Sequence, residues 1–317
     1  MEKTIFIAGS RDISGKRLLN LFKRYHLKGK IVWGVYRENY ISGFDGQPQF
    51  RTLNFAKLEK FCDLVKDKFR VSSNNFEILE YSQDNEIDIL ENLKPEKAIF
   101  INGSWKIAFH RRPIFEFLKK NNIEFSLKSP FEDEEEAKEY EKKILMEVGK
   151  LVEEKINKLT QSKLTPQQVS DEKRYLEIAD IVAMKSFDYT WQTGAILVRD
   201  GKILLEGHNR ILPFETYAML HGSLREKNMT GLNDLNNYDT LHAEMDIVSQ
   251  ALQQGLKMKG ATLYINLMPC PNCARMLAKT GISRIVCRKE HFGGFARELF
   301  ESMKIKVVSE DPKGEDI

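Results

Sequence analysis

The chain has 317 residues, 42% of them apolar and 30% charged, with a formal net charge of +3. That length and apolar share suit about two globular domains and exclude a disordered or fibrous chain. No apolar run approaches the ~18 residues that cross a bilayer. Met1-Glu2-Lys3-Thr4 leads straight into a strand-like Ile5-Phe6-Ile7-Ala8 with no apolar h-region, so no membrane contact and a cytoplasmic location are expected.

The charge is uneven along the chain. Residues 1–131 hold 23 Lys and Arg against 16 Asp and Glu, residues 132–160 hold 6 against 10, and the remainder is balanced at 20 against 20. A basic first part offers a surface for nucleic acid or phosphate, although its charges form no visible cluster and equally suit a solvated lysine-rich face. Four cysteines make no disulfide framework at this length. Cys62 lies in a helical pattern and Cys287 in an apolar strand, where both read as small buried hydrophobes. Reduced thiols agree with a reducing compartment.

Residues 1–131 alternate two periodicities. Strands are predicted at Thr4–Gly9, Ile31–Tyr36, Phe76–Tyr81, Ala98–Asn102 and Glu124–Leu127, with helices at Gly15–Tyr25, Phe55–Phe69, Glu86–Leu93 and Arg112–Asn121. Strands separated by helices predict a five-stranded Rossmann-like or flavodoxin-like α/β domain around a parallel sheet. The loop Gly9-Ser10-Arg11-Asp12-Ile13-Ser14-Gly15-Lys16 fails as a phosphate loop: five residues, not four, separate the glycines, and Arg17 follows the lysine. It also lacks the middle glycine of a dinucleotide fingerprint. No cofactor is assigned to it, and an anion at the helix start stays open beside a scaffold role. Trp105 and Phe109, near Arg111 and Arg112, suit a core or a base-stacking surface.

Residues 132–165 form a charged linker. Ala137, Tyr140, Ile144, Val148, Leu151, Ile156 and Leu159 predict one long helix, or two hinged near Gly149, followed by a loop at Ser162–Ser170. In residues 166–317 a helix is predicted at Asp171–Phe187, and a hairpin of Gly194–Val198 and Lys202–Gly207 turning at Asp200-Gly201. After an insertion, Arg210–Asp239, come a helix at Leu241–Gln254, a strand at Ala261–Leu267 and a helix at Cys273–Gly281. A strand at Arg284–Cys287, a helix at Ala296–Met303 and a strand at Lys306–Val308 complete the chain.

Two short motifs carry chemistry: His242-Ala243-Glu244 and Pro269-Cys270-Pro271-Asn272-Cys273. One imidazole and two thiolates leave a fourth position open, which is the ligand set of a catalytic zinc. Asp239 and Thr240 are good N-cap types just before His242, and proline suits a helix's first turn, so both ligand groups are expected at helix starts. Helix N-termini favour thiolate over thiol. A structural zinc would need a fourth protein ligand, for which His291 is the best candidate.

With these motifs, residues 171–308 resemble the zinc-dependent cytidine/deoxycytidylate/tRNA-adenosine deaminase superfamily. The resemblance implies a cytidine-deaminase-like α/β/α fold for this part. It implies zinc on His242, Cys270 and Cys273, and a hydroxide from the metal's water attacking C4 of cytosine or C6 of adenine, with Glu244 as proton shuttle. It implies substrate contacts at Gly194 and Ala195 under the base, at Asn209 of Gly207-His208-Asn209, at the Ala243 backbone, and at Pro269 beside the metal. It further implies a homo-oligomer. The substrate expected is a free nucleoside or nucleotide, with cytosine favoured. The insertion, with Arg210, Arg225 and Lys227 for a phosphate, and Asn272 where tRNA deaminases carry Met, both point that way. Editing of RNA or DNA, guided by the basic first domain, is the alternative within the class. A nucleic-acid-binding or assembly protein with a decayed deaminase domain is the alternative outside it, and the intact chemical residues argue against decay.

Overall fold

The computed structural model describes residues 3–70, 75–103, 105, 107–161, 171–231, 234, 237–291 and 294–311. They fall into two compact units, one of Met1–Ile144 with Thr216–Asp239, the other of Leu145–Glu215 with Thr240–Ile317.

The first unit is built on β1 (Thr4–Gly9), β2 (Lys30–Tyr36), β3 (Phe76–Tyr81), β4 (Lys97–Ile101) and β5 (Glu124–Lys128), in the order β3-β2-β1-β4-β5 and parallel throughout. β1 and β2 are buried along nearly their whole length, as a sheet covered on both faces requires. The helices α1 (Gly15–Tyr25), α2 (Phe55–Phe69), α3 (Glu86–Leu93) and α4 (Pro113–Lys120) connect them. Their starts are written locally. Ser14 and Asn54 sit in extended backbone and accept from the amides of Arg17 and Lys57, and Pro113 opens α4 where no amide donor is needed. Leu18, Leu21 and Phe22 of α1 meet Ile5, Ile7 and Trp33 of the sheet in one apolar cluster.

α5 (Glu134–Gln161) is one unbroken helix, not two hinged at Gly149. Ala137, Ile144, Val148 and Val152 are buried along one stripe, while Gly149 faces open space. Packing of the stripe outweighs the ~1 kcal/mol that an interior glycine costs. The predicted loop at Ser162–Ser170 lies outside the described residues.

The second unit contains α6 (Asp171–Ala183), the hairpin β6 (Gly194–Arg199) and β7 (Lys202–His208), and β8 (Arg210–Ile211). The short helices α7 (Tyr217–His221) and α8 (Leu224–Lys227) follow in the insertion, within the first unit. The chain then returns through β9 (Thr240–Leu241), α9 (Ala243–Gln253), β10 (Thr262–Leu267), α10 (Pro271–Leu277), β11 (Arg284–Lys289), α11 (Phe295–Ser302) and β12 (Lys306–Asp311). The sheet runs β12-β11-β10-β6-β7; the first three strands are parallel, and β6 is antiparallel to both its neighbours. Leu176, Ile178 and Val182 of α6 cover one face with Ile196, Val198, Tyr264 and Val286. Ala243 and Ile247 of α9, Ala274 and Leu277 of α10, and Phe300 of α11 cover the other. This is the α/β/α arrangement expected of a cytidine-deaminase-like domain.

One boundary moves in a way that matters. The helix predicted from Leu241 begins at Ala243, because Thr240 and Leu241 pair with Ile211 and Arg210 as a two-stranded stem. That stem closes the base of the insertion.

Candidate active site

The starts of α9 and α10 supply three side chains that could hold a metal ion. His242 is the N-cap of α9 and Cys270 the N-cap of α10, both in extended backbone, with Cys273 one turn into α10 behind Pro271. The cap was expected at Asp239 or Thr240. Thr240 is held in the β8–β9 stem instead, and the Asp239 carboxylate accepts from Leu224 N at 2.9 Å. Neither His242 nor Cys270 spends its side chain on capping, so both project toward the shared site.

His242 Nδ1 lies 3.6 Å from Cys270 Sγ and 3.5 Å from Cys273 Sγ. Tetrahedral zinc, with bonds of about 2.3 Å to sulfur and 2.05 Å to nitrogen, places such atoms roughly 3.6 Å apart, so the donor set fits the metal. All three ligand atoms lie within 4.8 Å of one another, and this is the one candidate metal group among the described residues. His291, the candidate fourth ligand, packs its ring against Trp191 with centroids 5.3 Å apart and is not in that group.

The thiols behave as a pair. A hydrogen bond from Cys273 holds the Cys270 thiol down to about 4, against burial and with help from His242. The same bond, with burial, pushes Cys273 up. Cys62 and Cys287 are instead buried free thiols pushed up by desolvation, to about 12 and about 11, as inert core residues should be.

Glu244, in the first turn of α9, is buried, and its carboxyl is hydrogen-bonded to Cys273. Burial raises its pKa and the neighbouring His242 only partly opposes this. A buried carboxyl with a raised pKa beside the candidate ligands is suited to proton transfer.

The other expected contacts surround these groups. Asn209 is buried; its Oδ1 accepts from Ala243 N at 3.0 Å and its Nδ2 donates to Trp191 O at 2.8 Å. It thereby ties the end of β7 to the first residue of α9. Ala195 and Ala243 are fully buried in the same cluster, and Pro269 is buried between β10 and Cys270. At Gly194 a Cβ would stand 2.2 Å from Ala179 O, so the missing side chain is first of all a requirement of α6 packing on β6.

Sequence reasoning missed three groups here. Asp188, buried, accepts from the amides of Thr190 and Trp191 and from Thr240 Oγ1 at 3.3 Å, so it braces β9 just before His242. An aspartate two residues before a threonine in a turn-like stretch is a weak local Asx-turn signal, but its bond to Thr240 spans 52 residues. Glu215 and Asp246 are the others. Both are buried and flank the half-exposed Arg210, with Nε to Glu215 Oε1 at 3.4 Å and a guanidinium nitrogen to Asp246 Oδ1 at 3.9 Å. His208 beside them is pushed down to about 3 by burial and then by Arg210, so it is neutral, and its 3.9 Å approach to Glu215 is no ion pair.

Several expected ligand surfaces are already engaged. Arg225 is buried with its guanidinium 4.7 Å from the Tyr238 ring centre. At the start of α1 the Glu136 carboxylate meets Ser14 Oγ at 2.8 Å, where an anion would sit. Trp105 and Phe109 are core residues. Among the described residues no helix is long and apolar enough to cross a membrane.

Residues 169–289 match the family described as the cytidine and deoxycytidylate deaminase zinc-binding region. The chain is 25% identical over 142 residues to the deoxycytidylate deaminase of Enterobacteria phage T2, covering 35% of this chain and 76% of that protein. It is 30% identical over 104 residues to the tRNA-specific adenosine deaminase of Bacillus subtilis, covering 32% and 48%. Among solved structures it is similar to the dCMP deaminase of cyanophage S-TIM5 in complex with dCMP and dUMP, at 22% identity and a TM-score of 0.36, covering 46% of this chain and 98% of that one.

Proposed function

We propose that this chain, whose residues 169–289 form a zinc-binding region of the cytidine and deoxycytidylate deaminase family, hydrolyses the exocyclic amine from the cytosine of a free nucleoside or nucleotide. The observation that carries the reading is the meeting of His242, Cys270 and Cys273 at zinc spacing with a buried, upward-tuned Glu244 beside them. His242, Cys270 and Cys273 would hold zinc, which would supply an activated water. Glu244 would take up a proton, return it to the ring nitrogen, and deliver the next to the departing amine. Water and the amino-substituted ring thus become the carbonyl product and ammonia. Asn209 holds Ala243 in place through Oδ1, and its second Nδ2 hydrogen is the group it would offer to substrate. Gly194, Ala195 and Pro269 would form small and rigid walls around the base.

Similarity to a phage deoxycytidylate deaminase supports a cytosine nucleotide. The 30% identity to a tRNA-specific adenosine deaminase supports adenine in RNA as the second reading. The test is ammonia release from deoxycytidylate, cytidine, adenosine and a folded tRNA by the zinc-loaded protein, beside Glu244→Ala. Turnover of deoxycytidylate or cytidine that is lost in the variant while zinc is retained is the expected result. Turnover of tRNA alone transfers the assignment to the second reading, and binding without turnover of any member defeats both.

A further inference from the structure

The backbone around His242 is fastened on both sides, by buried Asp188 before it and buried Asn209 after it. Asp188 lies in the segment between α6 and β6 and is 3% exposed. Its Oδ1 accepts from the amides of Thr190 at 2.8 Å and Trp191 at 3.1 Å, the ordinary bonds of an aspartate turn. Such a turn needs one carboxylate oxygen. The other, Oδ2, accepts from Thr240 Oγ1 at 3.3 Å, two residues before His242. The same turn reaches the residue after His242. Trp191 O accepts from Asn209 Nδ2 at 2.8 Å, and Asn209 Oδ1 accepts from Ala243 N at 3.0 Å.

These bonds close a ring. It runs from Asp188 to Thr240, along the backbone through His242 to Ala243, across Asn209 to Trp191, and back to Asp188. Every member belongs to the second unit. Further bonds stiffen it. Ser186 Oγ, fully buried, donates to Asn209 O at 2.6 Å and accepts from Asp188 N at 3.1 Å. Asn209 N donates to Thr193 O at 3.0 Å, and Thr240 pairs with Ile211 in the β8–β9 stem. His242 O accepts from Asp246 N at 2.9 Å, the first bond of α9. Leu241 and His242 alone lie between the two fastened points, so the backbone leaves the imidazole little freedom. A buried carboxylate is costly unless its oxygens are bonded, and here both are.

We propose that Asp188 and Thr240 are positioning residues for His242: the ring they close fixes the backbone on either side of the imidazole and so its aim at Cys270 and Cys273. The inference rests on His242 being a metal ligand. Asn209 belongs to the same ring, so the side chain that would meet substrate is held together with the ligand. Partners that orient a metal ligand from outside are worth about 10- to 100-fold in metal affinity.

The test loads the full-length protein with Co²⁺ and follows the cobalt–thiolate absorption, the rate of release to a chelator and the denaturation midpoint of each variant. Asp188→Ala removes the carboxylate from the ring. Thr240→Val removes one bond and keeps the β-branched shape that a strand favours. Both should shift the cobalt spectrum and release the ion about tenfold faster. Combining them should add little to Asp188→Ala alone, because both open the same ring. Asp188→Asn should restore the wild-type spectrum and rate, since its amide oxygen still accepts from Thr190 and Trp191 and its NH₂ donates to Thr240 Oγ1. Tyr175→Phe deletes a bond to Gly201 O elsewhere in the unit and should release cobalt at the wild-type rate. Folded Asp188→Ala and Thr240→Val proteins with the wild-type spectrum and rate overturn the proposal. So does Asp188→Asn releasing as fast as Asp188→Ala, because charge and not the ring would then act. Tyr175→Phe releasing as fast as the ring variants also overturns it, because release would then follow stability alone. If Asp188→Ala does not fold, Thr240→Val and Asp188→Asn carry the test. Wild-type protein that takes up no cobalt overturns the metal reading instead, a distinguishable result.

Discussion

The two sheets carry polar groups at the same kind of place, the ends of strands and the starts of helices, and use them in opposite ways. In the first unit those groups are answered from within the chain. Glu136 meets Ser14 at the start of α1, Glu226 meets Trp105 beyond β4, and backbone carbonyls meet Arg11. In the second unit two helix starts bring an imidazole, two thiols and a carboxyl together, facing one another at metal-binding distance. Chemistry follows the side chains gathered at the edge of a fold and not the fold alone. In the first unit Met219 and Glu226 of the insertion meet Arg11 and Trp105 at the strand ends.

The sharpest way to break this contrast is to remove the metal. His242→Ala leaves two sulfurs, and metal content measured by elemental analysis should fall from one zinc per chain to none, with all deaminase turnover. Glu244→Gln should keep the metal and lose about 10²- to 10⁴-fold in kcat, the range for a general acid–base group. Equal loss of zinc in that variant would move Glu244 from proton transfer to metal support.

Stability separates the packed from the open glycines. Gly194→Ala drives a methyl into the backbone of α6 and should cost about 3 kcal/mol, read from chemical denaturation. His208 gives a pH signature of similar or smaller size. Its folded value, about 3, lies below the unfolded value, so it takes up its proton only on unfolding. Its contribution is complete above the unfolded pKa of about 6.5, and stability falls as pH drops from there toward about 3, by an order of 2–4 kcal/mol. His208→Asn should flatten that acid limb, and an unchanged slope would mean the imidazole is not buried neutral. The smallest effect is Gly149→Ala on the exposed side of α5, which should raise stability by about 0.5–1 kcal/mol.

Much of this was legible before any coordinates. The strand and helix pattern of residues 1–131 could be read because a period of two against 3.6 is a property of neighbours in the chain. Cys270 and Cys273 could be paired because a three-residue step keeps both on one turn. Less legible was the start of α9. Asp239 and Thr240 have the right chemistry for a cap, but a strand pairing with residues 210 and 211 claims one and the amide of Leu224 claims the other. Asp188 was invisible for the same reason.

The sequence by itself determined the order of elements and singled out the candidate metal ligands His242, Cys270 and Cys273, since both are written in spacings shorter than a helix. Only the tertiary structure decided which residues of the first unit meet the insertion. Arg11 and Met219 stand 208 residues apart, Trp105 and Glu226 stand 121 apart, and no local propensity encodes a meeting at that separation. Such contacts are selected by the burial and hydrogen bonding of the assembled fold, where most buried polar groups find a partner wherever the chain can bring one.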